Sequence, residues 1–111
     1  MKKDALLGQS EFLVLVAVLR LGDEAYGVPI SREISREIGR DVAVAGIYST
    51  LERLQRMRLV EAQTGEPTAV RGGRAKTFFK LTAEGLRQLR ASQRILQKFW
   101  GSLSTPEGRP V

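Results

Sequence analysis

Gly46, Ser49, Arg53 and Arg56 fall on one side of a helical stretch, with small residues first and basic ones after them. Small side chains let a helix approach another surface closely. Arginines further along can then reach phosphates or base edges. A second cationic group follows in Arg71, Arg74 and Lys76, which load the returning arm of a turn marked by Pro67 and Gly72-Gly73. Arg74 and Lys76, and after them Arg71, are expected to meet phosphate or to enter a narrow minor groove, where negative potential is enhanced. For the helix alone, an ordinary solvated charged face explains the pattern equally well. The clustering of cations on one side of the following turn moves the balance toward a nucleic-acid contact.

Other chemistries lack their residues. The chain has no cysteine and no histidine, which excludes disulfides, thiolate zinc sites and His-assisted nucleophiles. Glu11, Glu33, Glu52 and Glu84 show no paired-carboxylate spacing, and no nucleophile has a base partner. The glycine-rich tip is not a phosphate loop, because Gly-x-x-x-x-Gly-Lys-Ser/Thr is absent and no strand-to-helix switch follows Gly73. The expectation is a protein that is not an enzyme and uses no cofactor or metal.

Bulk properties agree. In 111 residues, 18 Lys and Arg stand against 12 Asp and Glu, a net charge of +6 with a sequence pI near 10.3. That balance favours a polyanionic partner, double-stranded DNA before an anionic membrane surface. Hydrophobic content of 42% is globular and allows one modest core. The apolar run Phe12–Leu19 is far short of the roughly 20 residues of a membrane span. Lys2 and Lys3 precede apolar residues, but Gly8-Gln9-Ser10-Glu11 interrupts them and no cleavage site follows. A cytoplasmic protein without membrane contact is expected.

The elements that would position these residues are legible in the spacing. Val44, Ile47, Leu51 and Leu54 recur at helical intervals and define a helix over 44–57. The segments 59–64 and 77–81 alternate and carry the β-branched and aromatic residues of short strands, with Phe79 and Leu81 under the sheet and Phe78 pointing the other way. A helix followed by a basic-tipped hairpin is the outline of a winged helix-turn-helix. Upstream, Ser10 is expected to cap a first helix, with Glu11 in its first turn. That helix runs to about Leu21 and is apolar nearly all round, so a small domain cannot hide every face and a second subunit is expected.

A second helix begins near Ala25 or Tyr26, carries Pro29 in its first turn and a core stripe of Ile30, Ile34 and Ile38, and stops at Gly39. Ser31, Arg32, Ser35 and Arg36 lie off this stripe and are expected to be mostly solvated, with Arg32 or Arg36 within reach of DNA backbone. Gly39-Arg40-Asp41 would be the turn of the helix-turn-helix. Thr82 caps a last helix whose Leu86, Leu89, Gln93, Leu96, Trp100 and Leu103 recur at spacings of three and four, close to a heptad seam. Arg87, Arg90, Arg94 and Lys98 occupy the opposite side. Pairing of this helix with a second copy is favoured over folding back on its own domain.

The series Tyr26-Gly27-Val28-Pro29-Ile30, Gly46-Ile47-Tyr48-Ser49-Thr50-Leu51-Glu52-Arg53-Leu54, Leu59-Val60-Glu61, Arg71-Gly72-Gly73-Arg74-Ala75-Lys76 and Leu81-Thr82-Ala83-Glu84-Gly85 resembles PadR-like transcriptional regulators. The resemblance spans nearly the whole chain from Leu6. It implies that the 44–57 helix enters the major groove, with Tyr48 on a phosphate and Ser49, Thr50 and Arg53 near the groove. A core-edge tyrosine is the competing reading of Tyr48. The resemblance also implies dimerisation through the last helix and, by analogy, repression. In some such regulators a tryptophan on this helix lines a dimer-interface pocket that stacks flat hydrophobic ligands. Trp100, with Phe99, could do so here, or serve as a plain interface anchor. Ala43 stands where such helices often carry a Ser cap, and Gly46 where a side chain is often present.

The expected fold is therefore mainly α with a small β-hairpin wing: a winged helix-turn-helix over residues 1–81, a dimerisation helix over 82–103 and a disordered tail over 104–111. The expected function is a homodimeric DNA-binding transcriptional regulator, a repressor of a pseudo-palindromic operator, released by a small hydrophobic or aromatic effector. The alternative is a winged-helix protein–protein interaction module without specific DNA binding.

Overall fold

Gly8 is extended and cannot cap a helix with a side chain, so the first turn is closed from the other direction: the Glu11 carboxylate accepts the Gly8 N–H at 3.0 Å. Helix α1 therefore runs Gln9–Leu21 and starts ahead of Ser10, the expected cap. This computed structural model describes residues 6–65, 76–103 and 106–109. After α1 come a 3-10 turn (Gly22–Glu24), α2 (Gly27–Ile38), α3 (Val44–Arg56), the strands β1 (Val60–Thr64) and β2 (Thr77–Leu81), and α4 (Ala83–Gly101). It is the expected mainly helical chain with one antiparallel hairpin.

The core lies where α1, α2, α3 and the hairpin converge. Val14, Leu15, Ile30, Ile34, Ile47, Leu51, Leu54 and Phe79 are buried there. Burying an aliphatic side chain contributes roughly 1.5–3 kcal/mol, so these positions hold the three helices in place. The α2 stripe ends early. Ile38 is 39% exposed, because the helix leaves the core before Gly39 stops it in the left-handed region at φ 75°. An ionic cluster adds to the α1–α2 contact: Arg20 pairs with Glu33 at 2.9 Å and Glu37 at 3.2 Å, and Arg36 also pairs with Glu33.

Two serines expected in solvent instead fasten the turn between α2 and α3. The buried Ser31 hydroxyl donates to the Val42 carbonyl at 2.6 Å, and the Ser35 hydroxyl accepts the Val42 N–H at 2.9 Å. Both backbone groups of one turn residue are thus satisfied by α2, which fixes the chain just ahead of α3, whose N-cap Ala43 has no side-chain cap.

The hairpin pairs Val60 with Leu81 through to Thr64 with Thr77, and the Gly65 N–H reaches the Lys76 carbonyl at 2.7 Å. A further bond from the Phe79 N–H to the Ala25 carbonyl, 2.8 Å, ties β2 to the segment before α2. Thr82 caps α4 as expected, its hydroxyl accepting the Gly85 N–H at 2.9 Å.

Helix α4 divides in two. Gly85, Leu89, Ala91 and Ser92 are buried against the domain, and the Ser92 hydroxyl accepts the Leu7 N–H at 3.0 Å. From Gln93 to Gly101 every residue is exposed. Leu89, expected in a dimer seam, is instead 6% exposed in its own core, because it packs with the first half of the helix before the rod leaves the domain. Leu86 is half-buried beside it. Of the expected tail, residues 106–109 form a turn, and the rest lies outside the described residues.

Candidate nucleic-acid interface

Helix α3 buries Ile47, Thr50, Leu51 and Leu54, and turns Tyr48, Ser49, Glu52, Arg53 and Arg56 outward. Thr50, expected near the groove, is 6% exposed. It stands three residues after Ile47 and four before Leu54, so helical geometry puts it on the core face. Ser49 remains exposed while its hydroxyl donates back to the Ala45 carbonyl at 3.2 Å. Gly46 is open to solvent, and a Cβ there would meet nothing within 4 Å.

Tyr48 is packed on one side and exposed on the other. Its ring lies against the start of α2, so close that a Cβ on Gly27 would sit 2.4 Å from the phenolic oxygen. It is also 41% exposed. The aromatic body packs while an edge faces outward, as amphipathic rings commonly do.

Arg53 is not a free side chain. Its Nε donates to Glu11 Oε2 at 3.0 Å, linking α3 to the first turn of α1. On the other flank, Lys76 lies at the foot of the wing with Nζ 4.6 Å from the Tyr26 ring centroid and 3.4 Å from its hydroxyl. Tyr26 in turn meets Phe78 edge-on, at 5.4 Å and 73°. Lys76 is thereby held beside α2 by an aromatic platform. Arg71 and Arg74 lie outside the described residues. Arg36 is engaged with Glu33, whereas Arg32 is exposed.

Glu11 and Tyr26 are the residues that sequence reasoning missed at this surface. Glu11 carried only a helix-end signal and Tyr26 only a packing signal, and neither reveals a partner 42 or 50 positions away. Among the described residues no group of three His, Cys, Asp or Glu could hold a metal ion, and no helix is long and apolar enough to cross a membrane.

The second surface is the outer half of α4. Phe99 is 79% and Trp100 60% exposed, and Ile95, Leu96 and Leu103 are also exposed. Gln93 lies among them, also exposed. Ile95 falls outside the expected seam, so the apolar face is wider than a strict heptad pattern indicates.

The family model described as "Transcriptional regulator PadR-like family" matches residues 15–91. No curated protein matches the chain. A PadR-like transcriptional regulator from Bacillus cereus superposes with a TM-score of 0.64 at 24% identity, covering 80% of this chain and 82% of that one. A PadR family transcription regulator from Clostridium difficile gives 0.63 at 24% identity, covering 83% and 90%. RosR of H. salinarum gives 0.67 at 23%, covering 92% and 84%. At these identities the structures speak for a shared fold, and the family model supplies the membership. With its helix-turn-helix, hairpin wing and family match over most of its length, the chain belongs to the PadR-like family of transcriptional regulators and is not an enzyme.

Proposed function

We propose that the protein is a cytoplasmic, homodimeric repressor that binds a pseudo-palindromic operator on double-stranded DNA. The observation that carries this reading is the pairing of two unlike exposed surfaces. One is the cationic face of α3 and the wing foot, with Ser49, Arg53, Arg56 and Lys76. The other is the apolar outer half of α4, with Leu96, Phe99 and Trp100, continued by Leu103 just past its end. An apolar face of this kind is covered when a second copy packs against it. Gln93, Leu96, Trp100 and Leu103 form the seam, with Leu86 at its inner end and Leu89 left to the core. Two-fold symmetry would then hold the two α3 helices about one DNA turn apart, on the order of 34 Å. Tyr48 and Ser49 take backbone and groove-edge positions, and Arg71 and Arg74 join Lys76 at the wing.

Phe99 and Trp100 are the residues toward which a flat hydrophobic or aromatic effector would be drawn. Such a ligand lowers DNA affinity only if it prefers one arrangement of the two rods over another. In this reading residues 1–81 carry the DNA contact and 82–103 the association, with the free rod beginning at Gln93.

The test is retardation of DNA fragments in a gel, beginning with DNA upstream of the protein's own gene, together with the mass of the protein in solution. A dimer whose DNA binding weakens steeply with salt is expected. A monomer, or a protein indifferent to DNA in dilute buffer, overturns the reading.

A further inference from the structure

The Glu11 carboxylate spends its two oxygens on different partners: Oε1 accepts the Gly8 N–H and Oε2 accepts the Arg53 Nε–H, both at 3.0 Å. One oxygen is therefore fixed to backbone at the start of α1, and the other fixes a side chain on the exposed flank of α3. The Glu11 side chain is 16% exposed and that of Arg53 46%. An exposed ion pair between two free side chains contributes little, because both must be immobilised. Here one partner is already held by the backbone, so the ordering cost falls mainly on the arginine.

The atom used matters more than the charge. A guanidinium has five N–H donors in a rigid fork. Among the described residues the only hydrogen bond of the Arg53 guanidinium is at Nε, and the end edge, where the two η nitrogens carry parallel N–H donors, is not engaged. Two parallel N–H donors of this kind match the O6 and N7 acceptors of guanine in the major groove. The geometry points to Glu11 as a positioning residue that aims Arg53 at a guanine, so that the base is read by an arginine already oriented before DNA arrives. A carboxylate beside a DNA-reading helix repels phosphate and lowers affinity for any duplex. Its gain lies in discrimination, since preorganisation removes an ordering cost at binding. The inference rests on the DNA-reading function proposed above.

The test uses the full-length protein and a duplex selected from a randomised pool by the wild type. Affinities are measured for wild type, Glu11→Gln, Arg53→Ala and the double variant. The probes are the selected duplex, the same duplex with 7-deazaguanine at each guanine in turn, and an unrelated duplex. Glutamine has one acceptor oxygen in place of two, so it can keep the Gly8 cap but not also the arginine. Glu11→Gln is expected to lower the ratio of selected to unrelated binding roughly tenfold, within the range set by one bidentate base contact. Binding to the unrelated duplex should be unchanged or tighter. The wild type should lose affinity when one particular guanine lacks N7, and Glu11→Gln should not. The two substitutions should also be non-additive.

Equal tightening on both duplexes would make Glu11 a mere repellent, and a raised ratio would make it a latch on Arg53. Either result overturns the inference, as does additivity. A wild type that selects no duplex overturns the DNA-reading function and the inference with it. A wild type that selects one, with additive variants, overturns the inference alone.

Discussion

The Thr82 hydroxyl donates to the carbonyl of Arg58 at 2.8 Å while accepting the Gly85 N–H, so one side chain joins the end of α3 to the start of α4. Arg58 is the one non-glycine with positive φ among the described residues, at 61°. The left-handed conformation turns the chain from α3 into β1, and the Leu59 N–H closes the turn on the Leu54 carbonyl at 2.9 Å. A residue with a Cβ is strained there by about 1–2 kcal/mol.

Arg58→Gly should therefore stabilise the fold. The relief is partly offset by the greater freedom of glycine in the unfolded chain, leaving a gain of about 0.5–1 kcal/mol. Urea unfolding should show a higher midpoint at unchanged slope.

Gly85→Ala should act in the opposite direction. A Cβ at Gly85 would lie 2.0 Å from the Leu59 carbonyl oxygen, a backbone atom that cannot rotate away. Separation of α4 from the α3–β1 junction should cost about 2 kcal/mol or more, in the upper range for single substitutions. A variant unfolding at the wild-type midpoint would show that α4 can shift without penalty.

Leu89→Ala and Leu96→Glu should separate the two halves of α4. Leu89 is core, so truncation should cost about 2–5 kcal/mol of stability and leave association intact. Leu96 is exposed on the rod, so a charge there should yield folded monomers that bind DNA poorly. Urea unfolding checks the stability loss, gel retardation the DNA binding and sedimentation the mass of both variants, and a dimeric Leu96→Glu protein would move the seam elsewhere.

The wing should report through salt. Replacing Arg74 and Lys76 with alanine should flatten the dependence of log affinity on log salt by about 0.9 for each phosphate no longer neutralised. Titration at several salt concentrations measures the slope, and an unchanged slope would exclude the wing from the DNA interface.

The local pattern of this chain was sufficient for its elements. Apolar spacing located α2 and α3, alternation located the strands, and Gly39 and Thr82 marked their helix ends, because each signal acts over a few residues. The cationic character of α3 and the wing was legible for the same reason. Partnership between distant residues was not. Only the folded chain decides that Glu11 holds Arg53, that Tyr26 carries Lys76, and that Ser31 and Ser35 secure Val42. Helical periodicity names a buried stripe but not its width, so it missed that Thr50 belongs inside with Leu51. Nor can it tell which body covers an apolar face. Leu89 and Leu96 share one pattern along α4, yet the domain reaches the first and ends before the second, because burial depends on where the neighbouring elements stop.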